Sequence, residues 1–123
     1  MKSKKNFAGR FFLVWMLAVS LVAVLNSCKK NNDDNSPSSP PTNEVWMQNT
    51  TFNPSTITVS TGTTITWRNK DSMNHTVTSN SGSELNSGTL GGGATFPHQF
   101  NTAGTYTYHC TFHSGMTGQV VVQ

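Results

Sequence analysis

The sequence predicts an all-β domain, an antiparallel sandwich or barrel of seven or eight short strands. Three observations carry this. From residue 44 onward, apolar and polar residues alternate in short runs, and helical spacing is absent. The runs are rich in Thr, Val, Ile and aromatic residues. Turn-forming Gly, Pro, Asn and Ser separate them at regular intervals.

The elements follow in order. Val45 and Met47 mark a first strand, and Asn53-Pro54-Ser55 a turn. "TITVSTGTTITWRN" reads as two strands, with Ile57 and Val59 on one face, a turn at Gly62, then Ile65 and Trp67 on one face. "HTVTS" follows, with His75 and Val77 facing the same way. "TFPHQF" and "TYTYHC" are divided by the turn "NTAG", and "GQVVVQ" closes the chain. The expected core is Val45, Met47, Phe52, Ile57, Val59, Ile65, Trp67, Val77, Phe96, Phe100, Tyr106, Tyr108, Val120 and Val122. A domain of about 80 residues buries little core, so a metal or another staple is expected to help it.

The 123 residues leave room for one small domain behind a leader. "MKSKKNFAGRFFLVWMLAVSLVAVLNSC" has a basic start, the apolar run Phe11–Leu25 and a small polar end, the layout of a secretory signal over 1–27. The run is 15 residues, short of the ~20 that span a bilayer. The alternative is a short anchor that stays attached. Leu25-Asn26-Ser27-Cys28 resembles the lipobox of bacterial lipoproteins, although Asn26 is not the usual small residue there. That resemblance implies a lipidated Cys28 as the mature N-terminus, and thereby an exported protein of the cell envelope. Lys29 stands where some lipoproteins carry an aspartate for inner-membrane retention, which favours the outer membrane. Residues 28–43 continue as a polar and Pro-rich tether that cannot bury apolar surface.

The formal charge of +3 belongs to the leader. From Cys28 onward four basic side chains stand against five acidic ones. Without a basic patch, a nucleic-acid partner is excluded. The two cysteines, Cys28 and Cys110, would form a disulfide in the simplest exported protein. If Cys28 carries lipid instead, Cys110 is a lone exported thiol, and a bound metal would protect it.

Alternation turns Tyr106, Tyr108 and Cys110 toward the core, so Cys110 ends a strand. His113 and Met116 lie on the glycine-containing turn that follows, "CTFHSGMTG". His75 is a second inward histidine at the start of its own strand. One Cys, two His and one Met can therefore converge at one end of the sandwich. A thiolate with two imidazoles and a weak thioether is the pattern of blue copper. Zinc would take the Cys and both His but prefers a harder or thiolate fourth ligand. Taken singly, Met116 reads as packing and His75 as a bonded core residue. The set C-x-x-H-x-x-M after an aromatic strand, with an upstream inward His, is far more specific.

Residues 44–123 resemble the plastocyanin and amicyanin group of cupredoxins. "FNPSTITVSTGTTITWRNKDSMNHTVTS" is similar to the first half of that family, and "FNTAGTYTYHCTFHSGMTGQVVV" to its second half. The two-residue spacing between His113 and Met116 is similar to amicyanin. The resemblance implies an eight-stranded Greek-key sandwich, one copper held by His75, Cys110, His113 and Met116, and electron transfer by a monomer. It also marks Thr76, Thr111 and Phe112 as residues shaping the ligand loops.

The chain departs from the family at three places. Phe112 stands where amicyanin has Pro and restores a backbone N–H that could point at the Cys110 sulfur and raise the potential. Thr76 stands where the family often has an Asn that ties the ligand loops together, and its hydroxyl is shorter. His98 alternates with Phe96 and Phe100 and so faces the core. It reads as a hydrogen-bonded core histidine, with a second metal site as the alternative. His109 faces outward beside Cys110, either as a plain surface residue or beside an electron path to the flank. The main path implied by the resemblance runs through His113, with Met73 and Phe112 in an apolar patch that docks a redox donor and acceptor weakly.

No open ligand position and no nucleophile–base pair suggest catalysis, so no enzyme is expected. The leading expectation is a membrane-tethered electron carrier. Copper delivery or storage is the second, and a non-redox interaction module the third.

Overall fold

A computed structural model describes residues 37–123. The leader, Cys28 and most of the tether lie outside the described residues. Eight strands form: β1 Glu44–Gln48, β2 Thr51–Asn53, β3 Thr56–Val59, β4 Thr63–Asn69, β5 Thr78–Ser79, β6 Thr95–Phe100, β7 Gly104–His109 and β8 Thr117–Val122. They make two four-stranded sheets, ordered β2-β1-β4-β6 and β3-β8-β7-β5. Among the described residues no helix is present.

Alternation explains the layering. Along β4, Ile65, Trp67 and Asn69 are buried while the residues between them are not. Along β8, Val120 and Val122 do the same. The inward side chains of the two sheets meet in one cluster. Trp67 packs edge-on against Tyr108, with ring centroids 5.4 Å apart, and Phe52 packs edge-on against Tyr108 at 4.8 Å. Burial pushes the Tyr108 hydroxyl up to about 12, so it stays neutral and acts through packing. Gly118 lies opposite Tyr108 in the β7–β8 ladder, and a Cβ there would stand 2.6 Å from the Tyr108 ring. The glycine makes room for the ring. The Tyr106 hydroxyl donates to the Thr102 carbonyl at 2.8 Å and pins the turn before β7.

The structure corrects the expected fold in five respects. The sheets are mixed: β1 pairs with β4, and β3 with β8, in parallel. Between β1 and β4 the chain passes through the other sheet as β3, so no hairpin forces an antiparallel pair. The strand expected over "HTVTS" shrinks to β5 and an isolated bridge between His75 and Leu90. Ile57, Phe96 and Tyr106 are only partly buried, because they pack at the rim of the cluster. Leu85 and Leu90, from the long connection after β5, join the core without any periodic signal to announce them. Trp46 is also buried, under Lys70, whose ammonium sits 4.8 Å from the ring centroid, with its indole N–H donated to Glu44.

Candidate metal centre

The β7–β8 connection is the first half of the site. Cys110 follows β7 directly and is buried. Its backbone N–H donates to the Met116 carbonyl at 3.0 Å, and the Met116 N–H donates to the His113 carbonyl at 3.2 Å. These bonds close a tight loop over residues 110–116. Gly115 sits at φ +87, a conformation that L side chains rarely adopt. The loop returns as β8, with Thr117 opposite His109. Met116 is thereby buried beside the core while Phe112 stays on the outer side, 53% exposed.

The second half is the connection from β4 to β5. His75 exchanges two backbone hydrogen bonds with Leu90, at 3.0 and 2.8 Å, which fix its backbone at the sandwich end. Its side chain is fully buried. Asn69, buried at the end of β4, donates its amide to the Met73 and Leu90 carbonyls at 2.7 and 2.9 Å and accepts the Asp71 N–H at 2.9 Å. Asn69 therefore shapes the run leading into His75. Sequence reasoning passed over it, although the β4 alternation points it inward, and an inward Asn must find partners.

The two halves meet at the Cys110 sulfur. Its Sγ lies 3.7 Å from His75 Nδ1 and 3.5 Å from His113 Nδ1. The ligand atoms of all three residues lie within 4.8 Å of one another. The two imidazole rings are 4.8 Å apart by centroid, and the Nδ1 of each faces the same sulfur. Ligand bonds of about 2.0–2.3 Å meeting at a shared ion set their donor atoms roughly 3.5 Å apart. The observed spacing fits that. The donor set is a thiol, two imidazoles and a buried thioether on the same loop, which fits copper better than zinc. Among the described residues, His75, Cys110 and His113 form the metal-capable group.

Thr76 makes the tie that its short side chain put in question. Its backbone N–H donates to Cys110 Sγ at 3.4 Å. Its hydroxyl oxygen accepts the Thr111 N–H at 2.9 Å and contacts the Thr111 hydroxyl at 3.2 Å. The hydroxyl reaches because Thr111 comes to meet it with both backbone and side chain. The expectation for Phe112 is corrected. Among the described residues the backbone donor to the sulfur is Thr76, and the Phe112 N–H is not bonded to it. The closing bonds of the loop belong to Cys110 and Met116 instead.

The remaining residues singled out from sequence are placed as follows. His98 Nε2 pairs with the Glu84 carboxylate at 2.8 Å, and its ring lies 4.7 Å from that of Phe100. It pins the long connection after β5, and no further metal ligand joins it among the described residues. His109 is half-buried and bonds Asn80 Oδ1 through Nδ1 at 2.7 Å. Met73, 47% exposed, and Phe112 are the large exposed apolar side chains of the described residues.

A two-sheet β-sandwich with Cys, two His and Met gathered at one end defines the class of type 1, or blue, copper proteins. The sequence profile of the cupredoxin-like domain matches residues 14–122, and the chain belongs to that family. It is similar to amicyanin-alpha of Methylorubrum extorquens, 32% identical over 84 residues that cover 65% of this chain and 71% of the relative. It is 41% identical to amicyanin of Paracoccus denitrificans over 75 residues, 53% of each chain. A solved structure of an oxidised amicyanin variant matches with a TM-score of 0.62 and 32% identity, covering 65% of this chain and 80% of that one.

The Thr76 tie is testable. Replacing Thr76 with Val removes the hydroxyl and keeps the backbone N–H on the sulfur. The Thr111 N–H loses its partner, which costs about 1 kcal/mol of stability. Amide exchange at Thr111 in the metal-free protein should accelerate accordingly. Unchanged exchange would show that the hydroxyl does not hold the loop.

Proposed function

We propose that this protein is a membrane-tethered electron carrier. Its ligands are His75, Cys110, His113 and Met116. The observation that carries the reading is the buried gathering of one sulfur and two Nδ1 atoms at 3.5–3.7 Å, already in place for a metal. Copper bound there supplies a one-electron couple between Cu(I) and Cu(II). The chain's part is to hold the donors still. The Thr76 N–H supports the sulfur in either state, and the loop closure at Cys110 and Met116 resists rearrangement. Deep burial of Cys110, Met116 and His75 also disfavours the rapid ligand exchange that copper delivery requires.

Redox donor and acceptor are expected to dock near His113, which is less buried than the other ligands. Met73 and Phe112 each lie within two residues of a ligand histidine and offer uncharged apolar contact. Such a surface suits brief encounters. For localisation, the leader and Cys28 support export, lipidation and retention at a membrane, in preference the outer one, with the domain as a monomer beside it. Two acyl signals would make that anchoring stable.

Titrating the metal-free domain with Cu(II) should give an intense visible band at one equivalent, lost in Cys110→Ser and bleached by mild reductant. A colourless protein would remove Cys110 from the ligand set. Replacing Met73 with Lys should slow electron self-exchange between oxidised and reduced copies by roughly tenfold, as like charges meet. An unchanged rate would reject the docking patch. In cells, Cys28→Ser should move the protein from the membrane to the soluble fraction, and retention at the membrane would refute the lipid anchor.

A further inference from the structure

The Asp71 carboxylate collects three donors from two distant parts of the chain. Its Oδ1 accepts the Asn49 N–H at 2.9 Å. Its Oδ2 accepts the Thr50 N–H at 3.1 Å and lies 2.9 Å from His75 Nε2. Asn49 and Thr50 form the two-residue turn between β1 and β2, since Gln48 pairs with Thr51. Both sit in the left-handed region, at φ 53 and φ 57. That geometry suits a tight hairpin, and Asn tolerates it. Thr50 is β-branched and is strained there. The Asn49 and Thr50 N–H groups both donate to the one Asp71 carboxylate, which compensates the strain. The end of β1 is held alongside by the Lys70 N–H on the Met47 carbonyl at 2.8 Å.

An ionised carboxylate only accepts hydrogen bonds. The Asp71 carboxylate already accepts the Asn49 and Thr50 N–H groups, and His75 Nε2 faces the same Oδ2, so Asp71 acts here as an acceptor. With an acceptor at Nε2, the His75 proton belongs on Nε2. The lone pair is then on Nδ1, the atom facing Cys110 Sγ.

We propose that Asp71 is a positioning residue that locks His75 in its Nε2–H tautomer and links the β1–β2 turn to the metal centre. The lock exists before metal arrives. It leaves Nδ1 ready to bind and fixes the ring against rotation. The turn in exchange keeps the carboxylate under His75. The inference rests on His75 being a ligand, but its first readout needs no metal.

Asn is nearly the same size as Asp but brings an NH₂ group. In Asp71→Asn that group must face a donor: an amide of the turn or His75 Nε2–H. The relief is for His75 to move its proton to Nδ1, the ligand atom. The test is long-range ¹H–¹⁵N correlation of the histidine rings in the metal-free domain. Wild type should show His75 as Nε2–H. Asp71→Asn should shift it toward Nδ1–H, speed amide exchange at Asn49 and Thr50, and weaken Cu(II) binding by roughly 10–100-fold. Thr50→Gly keeps the N–H and relieves the strain, so the wild-type tautomer and affinity should persist. Wild-type His75 found as Nδ1–H, or as an even mixture, overturns the proposal whether or not the variants fold. So does an Asp71→Asn protein that keeps Nε2–H and full affinity. A faster-exchanging turn with an unmoved tautomer would leave Asp71 as turn support alone and also reject the lock.

Discussion

Thr76 is the interaction on which the site depends. The candidate ligands come from two loops, 75 and 110–116, that share no local structure. Something must set their relative position within a fraction of an ångström. Thr76 does so with two groups at once: its N–H holds the Cys110 sulfur, and its hydroxyl holds the backbone of the next residue, Thr111. The sulfur and the start of the loop are thereby referred to the backbone beside His75. The adjacent Leu90 bridge and the Asn69 amide anchor that backbone in turn to the β4–β5 side. Each bond is modest alone, but together they leave the loops a single arrangement.

How much of this was legible in the sequence follows from the range of each signal. Period-two alternation is local, so β4, β6, β7 and β8 could be read directly, and the inward residues of β4 and β8 with them, while Phe96, His98 and Tyr106 are only partly buried. The ligand set was legible because three of its members lie within seven residues, and a strand parity argument added His75. What could not be read depends on partners far along the chain. Alternation says nothing about whether a strand pairs in parallel, so the β1–β4 and β3–β8 pairs were missed. Leu85 and Leu90 lie in a connection without periodicity, and only the site end of the fold gives them a place. Side-chain length alone leaves the Thr76 tie open, because the approach of Thr111 is a tertiary fact. The backbone N–H that Phe112 restores does not reach the Cys110 sulfur, whose backbone donor among the described residues is Thr76, from the other loop.

The polar side chains of the domain are spent on construction. Arg68 bonds Glu44 at 2.8 Å, which also accepts the Trp46 indole N–H. Lys70 covers the face of Trp46, and Glu84 holds His98. The Arg68 pair is partly exposed and contributes little stability by itself. Its effect is to dress the outer face of β1 and β4 where Trp46 needs cover. Asp71 belongs to the same pattern, turned toward the metal centre.

One consequence concerns the end of the sandwich where His113 lies. The ligand loop 111–117 carries no charged side chain, and neither does the run 72–76. The charges of the domain are paired or placed against the β1–β4 face, apart from Asp71, which is covered by its three donors. Long-range steering needs an uncompensated field over the contact surface. The two ligand runs themselves offer no formal charge. In the docking proposed above, contact at Met73 and Phe112 would be short-range and apolar, its strength set by area and nearly blind to salt. A redox partner that docks as proposed would present a neutral, apolar rim around its own cofactor. Its specificity would come from shape rather than from opposite charge, and weak attraction would let it leave as quickly as it arrives.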